Sequence, residues 1–172
     1  MRVVGITGWS GSGKTTLMVR LLPELVRRGV TVSTVKHAHH EFDVDQPGKD
    51  SYRHRAAGAK EVVVASSRRF ALMHEVRAAR EPTLDELIAR MTPVDLVLVE
   101  GYKRDSHQKI EVYRAAIDKP LLSMGDASFI AIASDAPVPG AALPLLPLDR
   151  PAEIADFIIR HCGLAAVRHA SA

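Results

Sequence analysis

Cysteine is nearly absent. Cys162 is the only one among 172 residues, so no disulfide can close within the chain, a usage that suits the reducing cytoplasm. Aromatic residues make up only 5%, with Trp9 the single tryptophan. No apolar run approaches the ~20 residues a transmembrane helix needs, so no membrane partner is expected. Residues 1–7 lead straight into a β-branched stretch and carry no secretory-leader pattern. Neither sign of charge dominates: 23 Lys+Arg against 20 Asp+Glu leave +3 with histidine neutral. That excess is too small to imply nucleic acid, and no basic patch is interleaved with aromatics. Internal repeats, low-complexity blocks and linkers are also missing. What remains is an ordinary globular composition with ample core material, 47% hydrophobic and 25% charged. One domain over residues 1–163 is expected, followed by a frayed, small-residue tail over 164–172.

The richest stretch is Gly-Trp-Ser-Gly-Ser-Gly-Lys-Thr-Thr at residues 8–16. It fits the phosphate-binding loop pattern, with Gly8, Gly13, Lys14 and Thr15 in the fixed places. A polyphosphate needs several inward-pointing donors. Backbone N–H groups supply them only where glycine lets the chain curl tightly. The loop then opens a helix whose N-terminal dipole favours an anion. Lys14 is placed for the β- and γ-phosphates, and the Thr15 hydroxyl for Mg²⁺. Context agrees, because residues 2–7 read as a strand and 15–28 as a helix with Leu17, Leu21 and Leu25 on one face.

Beyond Gly29 the pattern predicts a strand at 31–36, a short helix at 51–57 opened by Asp50, and a hairpin from 61–65 and 70–76. Thr83 and Glu86 form a capping box for a helix running through Met91 to a stop at Pro93. Residues 94–99 are a near-continuous apolar strand that delivers Glu100 at its end. A buried parallel strand beside a phosphate loop is where a metal-linked acid belongs, so Glu100 is its candidate. Further strands are expected at 109–114 and 129–133, then a proline-punctuated loop around 143–146 and a last helix from Pro151 to Gly163. Strands 70–76 and 109–114 are expected to leave sheet edges that a second copy of the chain covers. His37, His39 and His40 invite a metal reading, but no matching ligand set occurs elsewhere, which favours a polar loop. The alternation of strands and helices implies a three-layer α/β fold with a mostly parallel sheet and some antiparallel edge strands.

Several segments together resemble one family. Lys-His-Ala-His-His at 36–40, Gly-Lys-Asp-Ser at 48–51 with Arg53, Ala-Gly-Ala at 57–59 and Val-Glu-Gly-Tyr-Lys at 99–103 are similar to the molybdopterin-guanine dinucleotide biosynthesis adaptors, the MobB family of P-loop NTPases. The resemblance runs from Met1 to about Arg160 in the family's order. It implies a GTP-binding protein with weak GTPase activity. Such a protein assists the MobA-type guanylyltransferase that joins GMP to molybdopterin, with molybdopterin itself a second partner, and forms a homodimer. On the same basis Gly8, Ser10, Gly11, Ser12, Gly13, Lys14, Thr15 and Thr16 form the nucleotide cradle. Thr15, Asp50 and Glu100 would surround Mg²⁺. The Glu-Gly pair also resembles dethiobiotin synthetase, where a lysine matches Lys36, so Lys36 joins Glu100 and Asp50 as a candidate catalytic group.

The Asn-Lys-x-Asp base motif of many GTPases is missing. Asp135, at the end of strand 129–133, either accepts from guanine N1–H and the N2 amino group or starts a turn before Pro137. Two other functions remain open. A small-metabolite kinase would use Arg53, Arg55, Arg68 and Arg69 around an acceptor, though no lid-like insertion is evident. A metal-insertion GTPase would use the histidine cluster.

Overall fold

The computed structural model describes residues 1–38 and 42–164. The chain divides into two compact units, one formed by residues 1–37 and 91–172 and the other by 38–90. Expectations that fall on His39, His40 and residues 165–172 lie outside the described residues.

The first unit is built on a six-stranded sheet in which every pairing is parallel. Its strands are β1 (Arg2–Thr7), β2 (Val32–Lys36), β5 (Leu96–Glu100), β6 (Lys109–Tyr113), β7 (Phe129–Ser134) and β8 (Leu145–Pro147), in the order β2-β5-β1-β6-β7-β8. Helix α1 (Lys14–Arg27) buries Leu17, Met18, Leu21 and Leu25, the stripe that four-residue spacing predicts. Pro23 lies inside α1 at an exposed position. The helix stops at Gly29, where Val30 N–H donates back to the Leu25 carbonyl at 3.1 Å. Helix α4 (Pro151–Cys162) packs beside α1, and Arg28 Nε donates to Asp156 Oδ1 at 2.7 Å between them. Both helices bury one sheet face, carrying Val4, Ile6, Leu96, Leu98, Ile110, Val112, Ala131 and Ala133.

The opposite face carries Thr7, Val97, Val99, Lys109, Glu111 and Ile132, each no more than 1% exposed. Over β6 it is covered by chain rather than by a helix. Lys109 Nζ donates to the carbonyls of Lys103, at 3.3 Å, and Asp105, and it lies 3.5 Å from Asp126 and over the Phe129 ring. Glu111 accepts from the backbone N–H groups of Leu122 at 2.8 Å and Ser123 at 2.9 Å. A buried charge survives only with such partners.

Two expectations need correction here. Residues 109–114 do not lie at an edge: β6 sits between β1 and β7, because Lys109 and Glu111 make a full set of bonds on the face that alternation assigns to solvent. Residues 145–147 are a strand rather than loop. Edge position permits Pro147, since its missing N–H faces away from β7.

The second unit holds α2 (Asp50–Ala56), β3 (Glu61–Ala65), β4 (Phe70–His74) and α3 (Leu84–Ile88). Strands β3 and β4 form the expected antiparallel hairpin, as a separate two-stranded sheet, with Val63 opposite Leu72. The capping box is present: Thr83 Oγ1 accepts from Glu86 N–H at 3.3 Å, and Glu86 Oε2 accepts from Thr83 N–H at 2.9 Å. Helix α3 is shorter than the pattern predicts. A tight Arg90-to-Leu87 bond closes it before Met91.

Candidate functional site

The carboxyl ends of β2, β5 and β1 lie side by side, in register Lys36–Glu100 and Ile6–Glu100. The chain leaves β1 for one side of the sheet through α1, and β6 continues on the other. This is the reversal of strand order where open α/β sheets bind ligands.

Residues 8–13 curl between β1 and α1. Gly8 is required by close approach, since a Cβ there would lie 2.4 Å from the Val112 carbonyl oxygen and 2.6 Å from Ser12 Oγ. Gly13 caps α1 at φ +93 without a side-chain acceptor, and the first turn of α1 carries no acidic residue. The N-terminal amides of α1 are therefore open to an anion. Lys14 Nζ donates to the carbonyls of Gly8 at 3.0 Å and Trp9 at 2.9 Å, closing the loop on itself. Burial pushes the Lys14 ammonium below the ordinary lysine value, against the pull of Glu100, with Lys103 and Lys36 adding to the depression. Ser12 is buried, whereas Ser10, Gly11, Thr15 and Thr16 are exposed.

Glu100 lies at the end of β5 with a side chain 12% exposed. Its Oε1 accepts from Thr15 Oγ1 at 2.7 Å and stands 3.7 Å from Lys36 Nζ. Thr15, Glu100 and Lys36 thus converge at the strand ends. Past Glu100 the chain turns through Gly101 at φ +99 and Tyr102 at φ +48. Thr7 Oγ1 donates to the Gly101 carbonyl at 3.1 Å, and the His37 ring packs on Tyr102 with centroids 4.7 Å apart. Asp50 belongs to the second unit, where it opens α2 with an exposed side chain 3.7 Å from Arg53.

Asp135 follows β7. The turn there is held by Ser134 Oγ, which accepts from Ala136 N–H at 3.2 Å. The Asp135 carboxylate instead accepts from Arg114 Nη1 at 2.7 Å. Arg114 is not legible as a site residue in the sequence, since it belongs to no motif and only the β1–β6–β7 order brings it here. Trp9 bears a similar relation to distant chain: its Nε1 donates to the Pro120 carbonyl at 2.8 Å, and Lys103 Nζ lies 4.9 Å from its ring centroid. Arg55, a candidate for a kinase acceptor pocket, is occupied by Asp43, Asp45 and Glu75 at 2.7, 3.2 and 2.8 Å. Among the described residues no group of three or more His, Cys, Asp or Glu is placed to hold a metal.

The chain as a whole has counterparts among known proteins. A family model described as MobB, molybdopterin guanine dinucleotide synthesis protein B, matches residues 3–135, from β1 to Asp135. The chain belongs to the MobB family. Within the family it is 42% identical over 160 residues to the molybdopterin-guanine dinucleotide biosynthesis adapter protein of Escherichia coli (strain K12), covering 91% of each chain. It is 43% identical over 158 residues to the protein of that description from Haemophilus influenzae, covering 91% of this chain and 86% of the relative. A crystal structure of molybdopterin-guanine biosynthesis protein B superposes with a TM-score of 0.73 at 29% identity, covering 92% of this chain and 99% of that one. A MobB homolog from Bacillus stearothermophilus gives 0.71 at 29% identity, covering 96% and 100%. Both solved structures support the α/β fold. No described helix is long and apolar enough to cross a membrane.

Proposed function

We propose that this MobB-family chain is a cytoplasmic GTP-binding adaptor with weak GTPase activity. It assists the guanylyltransferase that joins GMP to molybdopterin. The observation that carries this reading is the pairing of Thr15 Oγ1 with Glu100 Oε1 at 2.7 Å, on the loop whose Lys14 and open α1 amides suit a polyphosphate.

The donor set fits Mg²⁺, a hard cation that takes one or two carboxylates with phosphate oxygens and retains water. Thr15 and Glu100, which meet at 2.7 Å, would hold it. When bound it neutralises charge on the β- and γ-phosphates. The protein's own residues do the rest. The loop amides bind phosphate oxygens, and Lys14 turns from its two carbonyls to the anion. Lys36 and Glu100 fix each other at the strand ends, with Lys36 positive charge available to the γ-phosphate. Asp135 accepts from guanine N1–H and the N2 amino group, and adenine would leave it unpaired. Oδ2 of Asp135 already accepts from Arg114, which leaves Oδ1 and the second lone pair of Oδ2 for the two guanine donors.

The adaptor role follows from the family, and the second partner, molybdopterin, from its chemistry. A homodimer is part of the same proposal. The β3–β4 face that exposes Val63, Phe70 and Leu72 is an apolar surface consistent with it. The occupied Arg55 weighs against a kinase acceptor site.

The test is a steady-state assay of molybdopterin guanine dinucleotide formation by the guanylyltransferase, with and without this protein, beside GTP and ATP titrations of the protein alone. Stimulation together with a preference for GTP is expected. Efficient phosphoryl transfer to a small acceptor in the absence of the partner would overturn the adaptor reading.

A further inference from the structure

Arg114 stands one residue beyond β6, between the phosphate loop and the end of β7. Its Nε donates to the Ser12 carbonyl at 3.1 Å, and its Nη1 donates to Asp135 Oδ2 at 2.7 Å. The Ser12 carbonyl and the Gly13 N–H belong to one trans peptide plane, because the described chain has no cis bond. In such a plane the two groups point in opposite directions. A guanidinium that holds the carbonyl on its own side therefore aims the Gly13 N–H to the other side of the loop. Glycine fits this position, since a φ of +93 is one that side-chain-bearing residues rarely adopt. Arginine fits its own position as well. Its planar fork presents donors in two fixed directions, whereas a lysine head bonds as a single point.

We propose that Arg114 is a positioning residue for phosphate binding: it orients the Gly13 amide through the Ser12 carbonyl and, through Asp135, ties that orientation to the loop after β7. The proposal rests on the nucleotide-binding reading above and adds a coupling to it. A change on the base side of the site reaches the phosphate loop through one side chain. Loss of Arg114 leaves the Ser12–Gly13 peptide free to rotate and Asp135 without its cation. A charge-assisted bond that orients a donor is worth about tenfold or more in affinity when lost.

The experiment is calorimetric titration of the full chain with inorganic pyrophosphate and with GTP. The native protein is compared with Arg114→Met, Arg114→Lys and Asp135→Ala, and the melting temperature of each ligand-free protein is recorded. Both Arg114 variants are expected to bind pyrophosphate about tenfold or more weakly. The Lys variant, which keeps stem and charge, is expected to melt close to the native protein, separating positioning from bulk stability. Asp135→Ala is expected to weaken pyrophosphate as well, although that ligand has no base. In amide spectra, pyrophosphate should move the Gly13 resonance in the native protein and not in Arg114→Lys. Native-like pyrophosphate affinity in both Arg114 variants overturns the proposal. Native-like affinity in Asp135→Ala overturns the coupling to β7. A native protein that binds neither ligand instead overturns the nucleotide reading itself, so the two failures are distinguishable.

Discussion

Glu111→Gln changes one oxygen to an amide nitrogen and leaves shape and volume nearly untouched. Its effect should nevertheless be large. Glu111 is 0% exposed, and its two oxygens accept from two consecutive backbone N–H groups, Leu122 at 2.8 Å and Ser123 at 2.9 Å. Glutamine offers one acceptor oxygen. Its NH₂ must then face one of those N–H donors, which breaks that bond and leaves a buried donor unpaired. The surviving bond loses its charge assistance. Losing a bond to a charged acceptor costs about 1.5–3 kcal/mol, and an unsatisfied buried donor adds a comparable penalty. Removing a buried charge recovers part of its desolvation cost, which sets the net at about 2–4 kcal/mol. For a chain of this size each kcal/mol lowers the melting temperature by about 2–4 °C, so a fall of about 5–15 °C is expected. Thermal unfolding followed by far-UV circular dichroism measures it. Trp9 fluorescence reports on the same region, because its indole donates to Pro120, two residues before Leu122. A melting temperature within about one degree of the native value would refute the reasoning and return the Glu111 bonds to incidental geometry.

Lys14→Ala should abolish measurable GTP binding in calorimetry while the circular dichroism spectrum stays native, since Lys14 bonds only loop carbonyls and packs in no core. Glu100→Gln should leave metal-free nucleotide binding intact and lower Mg²⁺-dependent GTP hydrolysis at every Mg²⁺ concentration; unchanged hydrolysis would make Glu100 a purely structural partner of Thr15. Gly101→Ala should destabilise by about 1–3 kcal/mol in urea titration, because it combines φ +99 with a Cβ 2.9 Å from that of His37. Cys162 should react slowly with a thiol reagent in the native protein and rapidly once unfolded: it is 7% exposed, and burial pushes its thiol up, against a smaller effect of Arg2, so little thiolate is present near neutral pH.

The features legible in the sequence are those whose causes lie within a few residues. The curl of residues 8–16 is written in its glycines, and the stripe of Leu17, Leu21 and Leu25 is helical spacing that any folded context would bury. Thr83 and Glu86 cap each other across three residues. Glu100 is recognisable because a buried strand must end somewhere near the phosphate loop that precedes it. Strand order is a different matter. Parallel strands pair across long separations, and the local pattern of residues 109–114 fits an edge as well as a centre. Only the folded sheet, with β6 between β1 and β7, sets Lys109 and Glu111 on a covered face and carries Arg114 to Ser12 and Asp135. The chemistry of the phosphate loop is therefore set by the sequence itself. What holds that loop in place is decided by the tertiary structure, because Arg114 is 102 positions from Ser12 along the chain and adjacent to it only once the sheet has formed.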